Sequence, residues 1–204
     1  MSKNRLSLCA LALVSLSMTL GASANAQTNP EATNASGSTW YTPIGGRYFG
    51  IEAGNANYRG SCGLGGLPCE TNSNAYSIYS GGMWNKNFGL ELGATDFGSV
   101  DRAGGTAKAY GFSLKAVGMA PLTESLGAYA KVGTLYSRTT VSADAGSGIN
   151  TGKDTNWGLT YGVGLNFDLS PTVAAVLAWD RANVQFAGSH DHINTTSLGL
   201  KFKF

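Results

Sequence analysis

The sequence predicts an all-β fold, an eight-stranded antiparallel up-and-down barrel that crosses a membrane. Three observations predict it. The chain opens on an export signal. A period-two alternation of apolar with small or polar residues then recurs eight times. The connections between these segments are long and short in turn, as in transmembrane barrels.

Lys3 and Arg5 make a basic start, Leu6 to Leu20 is a mostly apolar run of 15 residues, and Ala24-Asn25-Ala26 offers a small-residue cleavage pattern before Gln27. The run falls short of the ~20 residues that a spanning helix needs. Cys9 precedes most of it, which argues against a lipid anchor at the cleavage point. Residues 1–26 are therefore expected to be a signal peptide. Residues 27–46 are polar and irregular and read as a short flexible lead to a barrel over 47–204. Without Lys3 and Arg5, twelve basic residues balance twelve acidic ones. Neutrality and the lack of basic-aromatic interleaving argue against a nucleic-acid partner. Glycine is abundant, at 29 residues, and charge is low, at 13%. Behind an export signal, that composition leaves a secreted β-sandwich or an outer-membrane barrel.

The first segment runs from Tyr48 to about Asn57, with Phe49, Ile51 and Ala53 on one face and Gly50, Glu52 and Gly54 on the other. The second, about 75–84, has no clear face. The third sets Phe88, Leu90, Leu92 and Ala94 against Gly89, Glu91, Gly93 and Thr95. The fourth sets Tyr110, Phe112, Leu114 and Ala116 against Gly111, Ser113 and Lys115. In the fifth, Leu126 to Tyr136 alternate with Gly127, Tyr129, Lys131 and Gly133. The sixth opposes Trp157, Leu159, Tyr161, Val163, Leu165 and Phe167 to four small residues and Asn166. The seventh opposes Val173, Ala175, Leu177 and Trp179 to Ala178 and Asp180. The eighth is "SLGLKFKF", with Leu198, Leu200, Phe202 and Phe204 on one face.

Short connections fall at 85–87, 120–125 and 168–171; the others are mostly longer, at 58–74, 98–106 and 139–154, with a shorter one at 187–192. A sandwich has no reason for that rhythm. In a membrane barrel the short turns face the periplasm, and an even strand number puts both termini there too. Glu52, Glu91, Lys115 and Lys131 all lie on the small-polar faces. A lipid-facing Lys or Arg at mid-membrane would cost about 2–4 kcal/mol. The apolar faces are therefore expected to meet lipid and the small-polar faces to line the lumen. Phe202 and Phe204 then reach an interfacial aromatic girdle.

The stretches "NKNFGLELGATDFG", "YGVGLNFDLSPTVAAVLAWDRA" and "SLGLKFKF" resemble the membrane domain of outer membrane protein A (OmpA) and its small relatives in Gram-negative envelopes. The resemblance covers roughly residues 47–204. It implies an outer-membrane, non-catalytic barrel with a role in envelope integrity or surface-loop interaction. It also implies that Phe202 and Phe204 serve as a signal read by the outer-membrane assembly machinery. Gly50, Glu52, Glu91 and Lys131 stand where the family tends to place small or charged lumen residues. The peptidoglycan-binding domain of larger members is not carried over to these residues.

Two cysteines remain after export, Cys62 and Cys69 in "CGLGGLPC". In an oxidising compartment they are expected to form a disulfide, contributing about 2.5 kcal/mol by chain entropy. "SHDH", with His190, Asp191 and His192, reads as a solvated turn; adjacent loop residues lack the fixed geometry of a metal site. No cofactor and no catalytic residue is assigned. A surface lipid-modifying enzyme would need a Ser, His and acid set spread over several loops, and the other long loops carry no His. Glu52, Glu91, Lys115 and Lys131 admit two readings. One is a polar plug, since an eight-stranded barrel is just wide enough for its side chains to fill. The other is the constriction of a narrow channel for ions or small polar solutes. Expected partners are outer-membrane lipid, the assembly machinery and an unidentified surface ligand at loops 58–74 and 139–154. A monomer is expected.

Overall fold

The computed structural model describes residues 46–59, 70–102, 105–142, 151–186 and 189–204. Eight strands follow in order: β1 (Arg47–Arg59), β2 (Asn72–Met83), β3 (Phe88–Arg102), β4 (Gly105–Pro121), β5 (Leu126–Ser142), β6 (Gly152–Asp168), β7 (Val173–Phe186) and β8 (Ser189–Lys203). Each pairs antiparallel with the next, and β1 pairs with β8, so the sheet closes on itself. Closure leaves no unpaired edge, which hydrocarbon requires. Arg47 and Phe204 exchange two backbone hydrogen bonds of 2.9 Å where the ends meet.

The faces follow the period-two pattern. Leu92, Phe112 and Leu198 are more than 60% exposed, whereas Glu91 and Lys131 are at most 5% exposed. The outward apolar belt on β6 runs from Trp157 to Phe167, about ten steps along the strand. At about 3.3 Å per residue and a tilt of about 40°, that spans about 25 Å, the thickness of a hydrophobic band in such barrels. β2, whose faces the pattern left open, turns Tyr76 and Ile78 outward and Ala75, Tyr79 and Met83 inward.

The long connections are shorter than the sequence suggests. Residues 58–59, 72–74, 98–102, 105–106, 139–142, 152–154 and 189–192 continue the strands. The reason is an inversion of polarity. Past the belt the outward positions become Asn55 and Asn57, Asn74, Asp96, Lys108, Arg138, Thr155 and Asn183, while the inward ones become Ala56, Tyr58, Val100, Ala109, Leu135, Val184 and Ile193. The wall thus leaves the membrane as a collar with a water-soluble polarity. Within it β3 carries an irregularity between Asp96 and Ser99, where Gly98 takes φ 72°. That left-handed backbone favours glycine. The Tyr58 hydroxyl, 3.1 Å from the Phe97 carbonyl and 3.0 Å from that of Gly98, holds it from inside.

Candidate functional site

The lumen is built in three layers. At the collar end, Ala56, Tyr58, Phe97, Val100, Leu135 and Ile193 belong to one apolar cluster. Above the polar layer, the Thr139 hydroxyl also spans from β5 to the Gln185 carbonyl on β7, at 2.5 Å. At the short-turn end, Tyr48, Tyr79, Met83, Val117, Met119 and Tyr129 belong to a second cluster. The charged side chains lie between and beneath these. The tyrosines can lean inward because glycines face them: a Cβ at Gly50 would come within 2.1 Å of the Tyr79 ring, and one at Gly164 within 2.3 Å of the Tyr129 hydroxyl.

The strands bring Glu52 (β1), Glu91 (β3), Lys115 (β4) and Lys131 (β5) to the inner face. The Lys131 ammonium lies 2.8 Å from Glu91 Oε1, with both side chains almost fully buried. It also sits 4.5 Å from the Tyr79 ring centroid and 4.9 Å from that of Tyr129. The Tyr48 hydroxyl donates to Glu91 Oε2 at 3.2 Å. Although Lys115 stands beside Glu91 in register, its ammonium reaches Asp180 Oδ1 on β7 at 3.0 Å. Glu52 Oε2 accepts from the Ser197 hydroxyl at 2.9 Å. Nearer the short turns, Lys201 donates to Asn166 at 2.9 Å and Lys203 pairs with Asp168 at 2.9 Å.

Asp180, Ser197, Lys201, Lys203 and Asp168 were absent from the four-residue set read from the sequence. The alternation in "SLGLKFKF" did place Lys201 and Lys203 opposite the lipid-facing residues, and it set Asp180 opposite Trp179. What the pattern lacks is which side chain reaches across the bore to which. Among the described residues, Glu52 Oε1, Thr195 Oγ1 and the Tyr79 and Tyr129 hydroxyls are buried without a hydrogen-bond partner. A cavity of about 30 Å³ opens among Glu52, Tyr79, Lys115, Lys131, Asp180 and Thr195. That is room for about two waters.

Phe202 and Phe204 lie outward at the short-turn end, Phe204 being the more exposed. Cys62 and Cys69 fall outside the described residues. "SHDH" is a correction: it is not a turn but the start of β8, paired with β7. Its Asp191 and His192 are half-buried, with 3.8 Å between carboxylate and imidazole. Strand pairing wins there because the collar interior continues through Val184 and Ile193. Among the described residues no group of three His, Cys, Asp or Glu is placed to hold a metal.

Solved structures with the same fold include Neisserial surface protein A (NspA), at 17% identity and TM-score 0.60, covering 78% of this chain and 99% of that one. Ail, the attachment invasion locus protein of Yersinia pestis, matches at 16% identity and TM-score 0.54, with 78% and 99% covered. The outer membrane protein OprG of Pseudomonas aeruginosa matches at 15% identity and TM-score 0.52, with 81% and 98% covered. No curated protein sequence matches the chain. The family model of the outer membrane protein beta-barrel domain matches residues 10–204. With that match over almost its whole length, and a closed eight-stranded wall belted for lipid, the chain belongs to the outer membrane protein β-barrel family.

Proposed function

We propose that the protein is a closed, non-catalytic outer-membrane barrel. It acts through its lipid-held wall and outward hairpins, in envelope integrity or surface interaction. The observation that carries this reading is the filled lumen, where the buried Lys131–Glu91 pair lies between an apolar cluster at the collar end and an aromatic-methionine cluster at the other. An ion travelling along the axis would have to pass the apolar cluster at the collar end, and an unpaired charge in apolar surroundings is costly. The long-loop end faces outward and both termini face the periplasm. Support comes from the short turns grouped at one end and from the collar, polar outside, at the other. Lipid is the first partner, and the assembly machinery reads Phe202 and Phe204. The outward hairpins, including those around 58–74 and 139–154, are where a surface ligand would bind.

The test is planar-bilayer recording of refolded protein. A closed barrel gives no steps above bilayer leak. The channel reading draws on the 30 Å³ cavity and its unpartnered oxygens. Stable steps that change with Lys131→Ala would put that reading in place of the closed one. A lipid modification lost on deletion of the gene would overturn the non-catalytic assignment.

A further inference from the structure

Lys108, Arg138 and Lys153 form one outward patch on the collar. Lys108 stands beside Thr140 of β5, and Thr140 beside Lys153 of β6; Arg138 stands beside Tyr110 and Thr155. All three cations are exposed. Among the described residues none of the three has an ion-pair or hydrogen-bond partner. The outward positions around them on β4, β5 and β6 are threonine and serine. Two acids on β3 border the patch: Asp96, beside Tyr110, accepts from the Gly98 N–H at 2.9 Å, and Asp101 accepts a hydrogen bond from Thr106 at 3.3 Å. Like charges on neighbouring strands repel, and among the described residues neither Asp96 nor Asp101 makes an ion pair with them. The opposite side of the collar is neutral at the same tier, with Asn55 and Asn57 on β1 and Asn72 and Asn74 on β2. The clustering of three cations is therefore a property of one side, while Arg59 on β1 and Arg181 on β7, the latter bonded to Asn194 at 2.7 Å, stand singly.

Its height points to the counter-charge. Tyr110, Tyr136 and Trp157 lie two to four residues nearer the belt on the same faces, and the Tyr136 and Trp157 rings pack at a tilt of 53° with centroids 5.0 Å apart. Such aromatics mark the level where hydrocarbon gives way to headgroups. Directly above them is where lipid phosphates lie. We propose that Lys108, Arg138 and Lys153 bind a multiply phosphorylated lipid headgroup whose acyl chains run down the belt beneath. Arg138 offers a planar fork that suits a phosphate, the two lysines add point charges, and the Thr140 and Thr155 hydroxyls between them are donors. The site is independent of whether the lumen conducts.

The test uses the whole mature protein refolded into phosphatidylcholine vesicles doped with bisphosphorylated lipid A, or with its dephosphorylated form. Lipid retained after mild detergent extraction is counted by native mass spectrometry. The wild type should retain the phosphorylated lipid selectively. Removing three cations in Lys108→Gln/Arg138→Gln/Lys153→Gln should weaken retention roughly 100-fold, with unchanged heat-modifiable gel mobility. Lys86→Gln, in a short turn at the other end, should change nothing. Equal retention of both lipid forms by the wild type would overturn the proposal, and so would undiminished retention by the triple variant. Binding of soluble heparin that the triple variant loses, without selective lipid retention, would reassign the patch to a soluble polyanion and likewise overturn it.

Discussion

Lys131→Met removes the cation from the most buried pair in the lumen. The ammonium lies 2.8 Å from Glu91, and the two side chains are 3% and 4% exposed. After the change, Glu91 keeps only the Tyr48 hydroxyl, at 3.2 Å, as a side-chain hydrogen-bond partner among the described residues. Breaking a buried pair by removing one partner costs about 3–5 kcal/mol. Loss of the cation from over Tyr79 and Tyr129 adds about 0.5–1 kcal/mol. Methionine fills a similar volume, so little is added for a void. The neighbouring cavity admits about two waters that can solvate the stranded carboxylate, which draws the total down. The expected loss is about 3–4 kcal/mol. Glu91→Gln should cost a similar amount by stranding Lys131. The double variant should lose much less than the sum, with a coupling of about 2 kcal/mol or more. Urea unfolding in phospholipid vesicles, followed by tryptophan fluorescence, measures all three. Additive losses would refute the reasoning, because they would mean that the two groups do not depend on each other in the folded lumen.

A tag inserted between Ser142 and Gly152 should be reachable on intact cells, and one at residues 85–87 should not; the reverse would overturn the orientation. Reduction should speed protease cutting near Leu64 to Leu67 and leave the barrel resistant. Free thiols at both Cys62 and Cys69 in protein from intact envelopes would sink the disulfide. Deleting Phe204 removes two backbone hydrogen bonds to Arg47, worth about 0.5–1.5 kcal/mol each. Refolding into detergent should therefore be little affected, while the amount inserted in cells falls sharply. Phe167→Ala should do the opposite, losing about 1.5–3 kcal/mol in vitro with normal assembly. If the two variants behave alike in both assays, Phe204 is no assembly signal.

The lipid belt was legible because hydrocarbon imposes a simple rule on every second residue. Leu90, Leu114, Leu165 and Leu198 each announce their face. The short turns were legible to within two residues for the same reason, as Phe88, Leu126 and Val173 restart the pattern at once. The strand tips were not. Past Ala53 or Tyr136 the period of two continues, but its phase reverses, so a reading that follows outward apolar residues stops at the girdle. β2 hid its faces because Tyr79 and Met83 fill the lumen as Tyr76 and Ile78 meet lipid. Glu52, Glu91, Lys115 and Lys131 were read as lumen residues while Asp168, Asp180, Lys201 and Lys203 were left out, because pairing depends on reach across a closed bore. Lys115 passes over its register neighbour Glu91 to meet Asp180, and nothing along the chain encodes that distance.

The collar has a kinetic consequence. Its outward face carries Arg59, Lys108, Arg138, Lys153 and Arg181, at the end far from Arg47 and Lys203. A chain entering the bilayer from the side of its short turns must drag these five charges through hydrocarbon. Each costs about 2–4 kcal/mol at mid-depth, so a concerted crossing faces a barrier of roughly 10–20 kcal/mol beyond that of the belt itself. Crossing hairpin by hairpin divides the load. Entry is where an assembly factor has most to accelerate. Once across, the same side chains oppose retreat, so slow entry and long residence have a single cause.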